Sequence, residues 1–257
     1  MERLQMSVFG DRYSRSYDAI YASKDYKGEV DRIVSLALAN GLQAGARVLD
    51  FGCGTGRHGI EMAKLGFQMT LTDRSDHMLE IARERCDPGI EIESLHSMSS
   101  RHGDFDLVYS IFDVLSYQTK PQEAQDFVRE LASLCKAGGL VIFDAWHLPG
   151  LHMDKPADRR GSFTDRLSGQ EWERSSQITV DWLNGVTTID YSLTTSLGGQ
   201  HFLETETHIM RAFTLLELEL LTQSAGMVVL EFLTAPDFSR PITDVDWHVG
   251  ALCRKEA

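Results

Sequence analysis

The chemistry-bearing stretch of this chain is Val48-Leu49-Asp50-Phe51-Gly52-Cys53-Gly54-Thr55-Gly56. Glycines at alternate positions let a backbone turn tightly and lie against a ligand with no Cβ in the way. The helix that follows offers unpaired N–H groups at its start. Asp50 precedes the first glycine. Asp73, with Arg74 beside it, ends the next strand, where a carboxylate can accept hydrogen bonds from both hydroxyls of a ribose. A dinucleotide fingerprint wants glycine at positions 1, 3 and 6. Here positions 1, 3 and 5 are glycine and position 6 is Arg57, which argues against a nicotinamide oxidoreductase.

Acid, glycine loop and second acid resemble the pattern of class I S-adenosylmethionine (SAM) methyltransferases. The resemblance implies an α/β, Rossmann-like doubly wound sheet and SAM as cofactor, with S-adenosylhomocysteine as product. It implies that Gly52, Cys53, Gly54 and Gly56 cradle the cofactor, with Asp73 and Arg74 at the ribose and Met78 against the adenine. Ser97 and Met98 follow the third strand, where such enzymes place an acid and an apolar neighbour; the acid is absent here. Ser110 ends the fourth strand, near the methionine end of the cofactor. Tyr13, Tyr17 and Tyr26 suggest an aromatic lid, with Tyr17 and Tyr26 assigned to the cofactor and Tyr13 to the substrate. Electron-rich ring faces suit a sulfonium.

More narrowly, the chain from about Tyr13 to Gly226 resembles the bacterial N-methyltransferases of nucleotide-linked amino sugars, of the desosamine and mycaminose type. Tyr13-x-x-x-Tyr17-Asp18 and Lys24-Asp25-Tyr26-x-x-Glu29 carry the resemblance at the N-terminus. Phe112-Asp113-Val114-Leu115-Ser116-Tyr117, Asp144-Ala145-Trp146-His147-Leu148-Pro149 and Glu206-x-His208 carry it further on. The chain departs from that group at three places. Tyr117 stands for a histidine, His147 for the second aromatic of a pair, and Phe9 for a tyrosine.

Methyl transfer from a sulfonium is an in-line displacement, so alignment and exclusion of water dominate. An amine acceptor must also lose a proton, which a weak base in contact assists. Tyr117, His147, His208 and Asp113 are the candidates for that chemistry. Phe112 and Trp146 are candidates for contact with the acceptor. Arg160 and Arg211 are candidates for a phosphate, which guanidinium grips bidentately. Each has a plainer reading as packing, capping or solvated charge. An O-methyltransferase of a small molecule and a non-catalytic SAM-binding subunit are the alternatives.

The elements that must position these residues follow from periodicity. A helical cap is expected over residues 1–40, from Tyr13, Tyr17, Ile20 and Tyr21 and then a helix from about Glu29 to Ala39. A SAM-binding core over 41–150 alternates strands (Arg47–Phe51, Phe67–Thr72, Ile90–Ile92, Phe105–Ile111, Leu140–Phe143) with helices. Residues 151–211 read as an inserted antiparallel β-sheet of three strands, with Asn184-Gly185 signalling a tight hairpin. Residues 212–257 complete the core with a helix, Leu215–Ala225, and strands Met227–Leu233 and Asp244–Leu252. The insert is expected to wall the acceptor pocket or mediate a homodimer.

Composition narrows the partners. The 257 residues carry 25 Lys+Arg against 38 Asp+Glu, a net charge of −13. That surface disfavours nucleic acid and anionic membranes. A span of about 20 apolar residues is absent, and Met1-Glu2-Arg3-Leu4-Gln5 lacks the apolar core of a signal peptide. The four scattered cysteines form no CxxC pair, so no metal site is expected and a cytoplasmic setting fits.

Overall fold

The computed structural model describes residues 21, 24–164, 171–197 and 200–256. Asp25 opens α1 (Tyr26–Ala39), its carboxylate accepting from Gly28 N at 2.9 Å. This cap starts the helix three residues before the apolar pattern does. The alternation then runs through β1 (Arg47–Phe51), α2 (Arg57–Lys64), β2 (Gln68–Asp73), α3 (Asp76–Arg85), β3 (Glu91–Ser94), β4 (Phe105–Ser110), α4 (Pro121–Leu134) and β5 (Cys135–His147). Ser75 caps α3 through Met78 N, which fixes the chain just past Asp73.

These five strands pair in parallel in the order β3-β2-β1-β4-β5. α5 (Leu148–Met153) leads into the insert, and α6 (Leu215–Ser224) out of it. β10 (Met227–Thr234) and β11 (His248–Lys255) close the sheet, with β11 antiparallel to β5 and β10 antiparallel to β11. Successive residues of each strand serve opposite faces. Thus Val48 and Leu107 join one buried cluster while Leu49 and Val108 join the other. The strand order reverses between β1 and β4. A crevice therefore opens at the carboxyl ends of these strands, where open α/β sheets bind ligands.

The insert differs from the expectation in its strand number. The described residues form four strands, β6 (Arg159–Thr164), β7 (Glu171–Asp181), β8 (Val186–Leu197) and β9 (Gln200–Phe213). β6 escaped the pattern because it is exposed along most of its length and carries no alternation. The insert also continues the main sheet. β11 occupies one edge of β5 as far as Trp146, and β4 covers the other only to Phe143. β9 takes the edge left beyond β4, pairing Ala212 with Trp146 and Phe213 with His147. The meander thereby stands over the end of β4.

Other boundaries move for local reasons. β5 begins at Cys135, with Gly138-Gly139 inside it. The β7–β8 connection spans four residues instead of a two-residue turn, because the Asp181 carboxylate accepts from Leu183 N and Asn184 N. The last strand starts at His248, since Asp246 is held in a turn by Thr243 N and the Arg240 guanidinium.

Candidate active site

The crevice is one continuous cleft of about 1830 Å³. Its floor at one end is the glycine loop. Gly52 lies at φ +87, where a side chain is strained, and a Cβ there would come within 2.8 Å of Val114. Gly54 lies at φ +54 with open space on its Cβ side, so its backbone faces the cleft bare. Asp73 ties the loop to β2, accepting from Gly54 N and from Ser75 N, each at 2.8 Å. Burial raises its pKa against those bonds. Arg74 and Met78 line the same end, and Leu95 joins them.

A smaller cavity of about 30 Å³ adjoins the loop, lined by Tyr26, Cys53, Gly54, Asp50 and Phe112 among others. Tyr26 meets His58 edge-on, with ring centroids 4.9 Å apart. Asp50 is buried, and burial first of all pushes its pKa up to about 7, against the nearby Tyr109 hydroxyl. Among the described residues its Oδ2 has no hydrogen-bond partner. An unsatisfied buried carboxylate oxygen is costly, and here it borders the small cavity beside the glycine loop.

The far end of the cleft is built by the loop after β4 and by the insert. Phe112 and Asp113 both sit at positive φ (73 and 65), a conformation that costs non-glycine residues about 1–3 kcal/mol each. The buried Asp144 carboxylate holds this turn, accepting from Phe112 N at 2.9 Å and Asp113 N at 2.7 Å. Burial and the neighbouring Asp113 raise the Asp144 pKa. Beyond the turn, Tyr117 Oη lies 2.7 Å from His208 Nδ1, and His208 Nε2 lies 3.2 Å from Glu206 Oε2. An ionised carboxylate only accepts. With Glu206 ionised and the ring neutral, Nε2 carries the hydrogen toward Glu206 and Tyr117 donates to Nδ1. Tyr191 packs edge-on against His208 at 5.1 Å, and the Arg174 guanidinium covers Tyr191 at 4.2 Å. Trp146 lines the wall beside Trp247, 6.1 Å away, and Arg159 and Arg160 line the rim.

The residues read from the sequence divide accordingly. Asp73, Arg74, Met78, Gly52 and Gly54 line the cleft at one end. Phe112, Asp113, Tyr117, Trp146, Arg160 and His208 line it at the other. Tyr26 and Cys53 line the small cavity. Tyr13 and Tyr17 lie outside the described residues.

Six of the residues expected at the site line neither cavity, and their contacts lie within the scaffold. His147 is buried with Nδ1 3.0 Å from the Asp246 carbonyl, and burial lowers its pKa. Arg211 pairs with Glu217 at 2.6 Å and rests on Phe213. Ser110 donates to the Phe51 carbonyl at 2.6 Å, binding β4 to β1. Ser97 bonds Glu93 and the Ser94 carbonyl. Met98 is fully buried in the core, and Gly56 caps α2 without lining either cavity.

The sequence reading did not single out Tyr21, Arg159, Arg174, Tyr191, Trp247 or His248, all of which line the cleft. Their aromatic and basic types were visible. Their convergence depends on the insert and on β11.

Comparison with known proteins decides the family. The family described as a methyltransferase domain matches residues 48–139. A ubiquinone biosynthesis O-methyltransferase from Caulobacter sp. is 34% identical over 187 residues, covering 56% of this chain and 72% of that protein. The chain belongs to the SAM-dependent methyltransferases. It spans about half the length of the other curated relatives that head the comparison, 41–57%.

Solved structures share the methyltransferase fold over nearly the whole chain. One from Clostridium acetobutylicum, a SAM-dependent methyltransferase, has a TM-score of 0.78 at 18% identity, covering 96% of this chain and 98% of that one. A sugar N-methyltransferase from Streptoalloteichus has a TM-score of 0.77 at 20% identity, covering 100% of this chain and 99% of that one. The glycine-loop end fits SAM. Asp73 would take the ribose hydroxyls, Met78 and Leu95 would flank the adenine, and the buried Asp50 carboxylate would face the ammonium of the methionine end. Among the described residues there is no cluster of three potential metal ligands, and no helix long and apolar enough to cross a membrane.

Proposed function

We propose that the protein methylates the amino nitrogen of a nucleotide-linked sugar. The observation that carries this reading is the division of one cleft into two chemically different ends. Small-molecule sites run to about 300–1,000 Å³. A cleft of about 1830 Å³ accommodates a second ligand of similar size beside the cofactor. Its outer end combines aromatic walls, Trp146 and Tyr191, with Arg159, Arg160 and Arg174. Aromatic faces suit a sugar or base, and guanidinium suits a diphosphate. The likeness to a sugar N-methyltransferase supports the same class of acceptor. The resemblance of the Phe112–Tyr117 and Asp144–Pro149 stretches supports it too.

Bound SAM supplies an electrophilic methyl group on a sulfonium. The protein's share is placement. The Phe112–Asp113 turn, locked by Asp144, belongs to the acceptor end of the cleft and limits how an acceptor approaches. Tyr117 hydrogen-bonds the acceptor. A phenol oxygen that donates its proton to His208 still accepts from an acceptor N–H. His208 and Glu206 hold Tyr117 in that orientation. Such positioning is worth roughly 7–11 kcal/mol of barrier when reacting atoms are held in line.

The test is mass spectrometry of reactions containing the protein, SAM and a panel of nucleotide-linked amino sugars, with the matching hydroxy sugars as controls. One or two added methyl masses on the amino sugars alone are expected. Methylation of the hydroxy sugars instead would turn the reading to O-methylation. No product from a sample that binds S-adenosylhomocysteine would remove the sugar assignment.

A further inference from the structure

An amine acceptor must shed a proton, and the Tyr117–His208–Glu206 array is poorly suited to take it. Both ring nitrogens of His208 are engaged, and its side chain is 4% exposed. Two other histidines among the described residues line the cleft, His77 and His248. His77 sits on α3 beside Met78, at the end that receives the adenine.

His248 is different. It opens β11 at the acceptor end, and its side chain is 33% exposed. Nδ1 lies 2.9 Å from Asp113 Oδ1. With Asp113 ionised, Nδ1 carries the hydrogen and Nε2 keeps its lone pair. A carboxylate behind an imidazole fixes both tautomer and orientation, the arrangement of a histidine general base.

Two further links make the pair rigid. Asp113 sits in the positive-φ turn that Asp144 grips through both backbone N–H groups. In the sheet, β5 and β11 pair Asp144 with Gly250 and Trp146 with His248. The turn, the carboxylate and the imidazole are thus mounted on adjacent strands. Strain retained at a cleft wall points to use.

We propose that His248 is the base that takes the proton from the acceptor nitrogen, with Asp113 and Asp144 as positioning residues; this rests on an amine as acceptor. The N–H bond breaks, its electron pair stays on nitrogen, and the proton binds Nε2. The resulting imidazolium is paired with the Asp113 carboxylate. The charged groups around the ring are Asp113 on the loop after β4, Asp144 on β5 and Lys24 ahead of α1. Burial and Lys24 disfavour the imidazolium, but the two carboxylates outweigh them and raise the pKa above the ordinary histidine value. A base poised near neutral pH is the effective kind.

The experiment measures kcat/KM against pH for wild type, His248→Gln and Asp113→Asn. It uses a nucleotide-linked amino sugar and saturating SAM, with S-adenosylhomocysteine affinity measured by calorimetry. Wild type should lose activity on the acid side as one proton binds. His248→Gln should lose that limb and about 10²–10⁴-fold in rate, with S-adenosylhomocysteine affinity unchanged. Asp113→Asn should move the limb to lower pH. A His248→Gln protein that keeps the wild-type rate and limb overturns the proposal. So does one whose cofactor affinity falls in step with its rate. Titration of the His248 ring by NMR in wild type guards against variants that fail to fold: a midpoint at or below the ordinary histidine value overturns the pairing. A wild-type protein that methylates no amino sugar overturns the acceptor reading, and this proposal with it.

Discussion

At the scale of residues, the cofactor end was the more legible half of the site because its chemistry is local. Asp50, Gly52, Gly54 and Asp73 lie within one β-loop-α-β stretch, and Asp73 reaches Gly54 N across 19 residues. The acceptor end joins residues far apart. Tyr117 and His208 are 91 positions apart, and Asp113 and His248 are 135 apart. No periodicity or spacing in the chain encodes those meetings.

Three predictions belong to this scale. Asp73→Ala should weaken S-adenosylhomocysteine binding by about 1.5–3 kcal/mol, the worth of hydrogen bonds to a charged group; calorimetry checks it, and unchanged affinity would remove the ribose assignment. Tyr117→Phe should raise the acceptor KM or lower kcat by up to about tenfold, one neutral hydrogen bond, with cofactor affinity intact. Equal turnover would leave the hydroxyl as packing.

Asp50 gives a third prediction, with a sign that follows from its pKa. The carboxyl ionises near 3.8 when exposed and near 7 in the folded protein. Between those values the folded chain holds a proton that the unfolded chain has lost. Its contribution to stability therefore declines as pH rises from about 4 to about 7, and is level above. If the cofactor's ammonium takes the ionised form, S-adenosylhomocysteine affinity should climb as pH rises through about 7 and then level off. Asp50→Asn should flatten that profile. A wild-type profile already flat across this range would separate Asp50 from the ligand.

At the scale of elements, the alternating core could be read because each strand and helix announces itself by period. Boundaries failed where a single side chain overrode the pattern, as Asp25 does at the start of α1 and Asp246 before β11. β6 was missed for the opposite reason, since an exposed edge strand has no buried face to impose alternation. Ser110 shows how an element-level role imitates a site. It stands where the cofactor should pass, yet its hydroxyl joins β4 to β1 at the Phe51 carbonyl. Ser110→Ala should accordingly lower stability by about 0.5–1.5 kcal/mol in denaturant unfolding while leaving S-adenosylhomocysteine affinity unchanged. A selective loss of affinity would return Ser110 to the site.

At the scale of the whole molecule, the insert builds the outer end of the cleft. Because β9 continues the main sheet from β5, the meander is carried over the same strand ends that hold the cofactor loop. A protein of net charge −13 repels phosphates over most of its surface. Arg159, Arg160 and Arg174 at the cleft make a local exception, and the proposed nucleotide acceptor would be held there. The central claim is that one cleft holds cofactor and acceptor together, with the Phe112–Asp113 turn at the acceptor end. The most direct measurement is a crystal structure with S-adenosylhomocysteine and a nucleotide-linked amino sugar. It should show the ribose hydroxyls on Asp73, the amino nitrogen within reach of Tyr117 and His248, and the diphosphate beside the insert's arginines. A nucleotide bound away from the insert, with the acceptor end of the cleft filled only by water, would contradict the account.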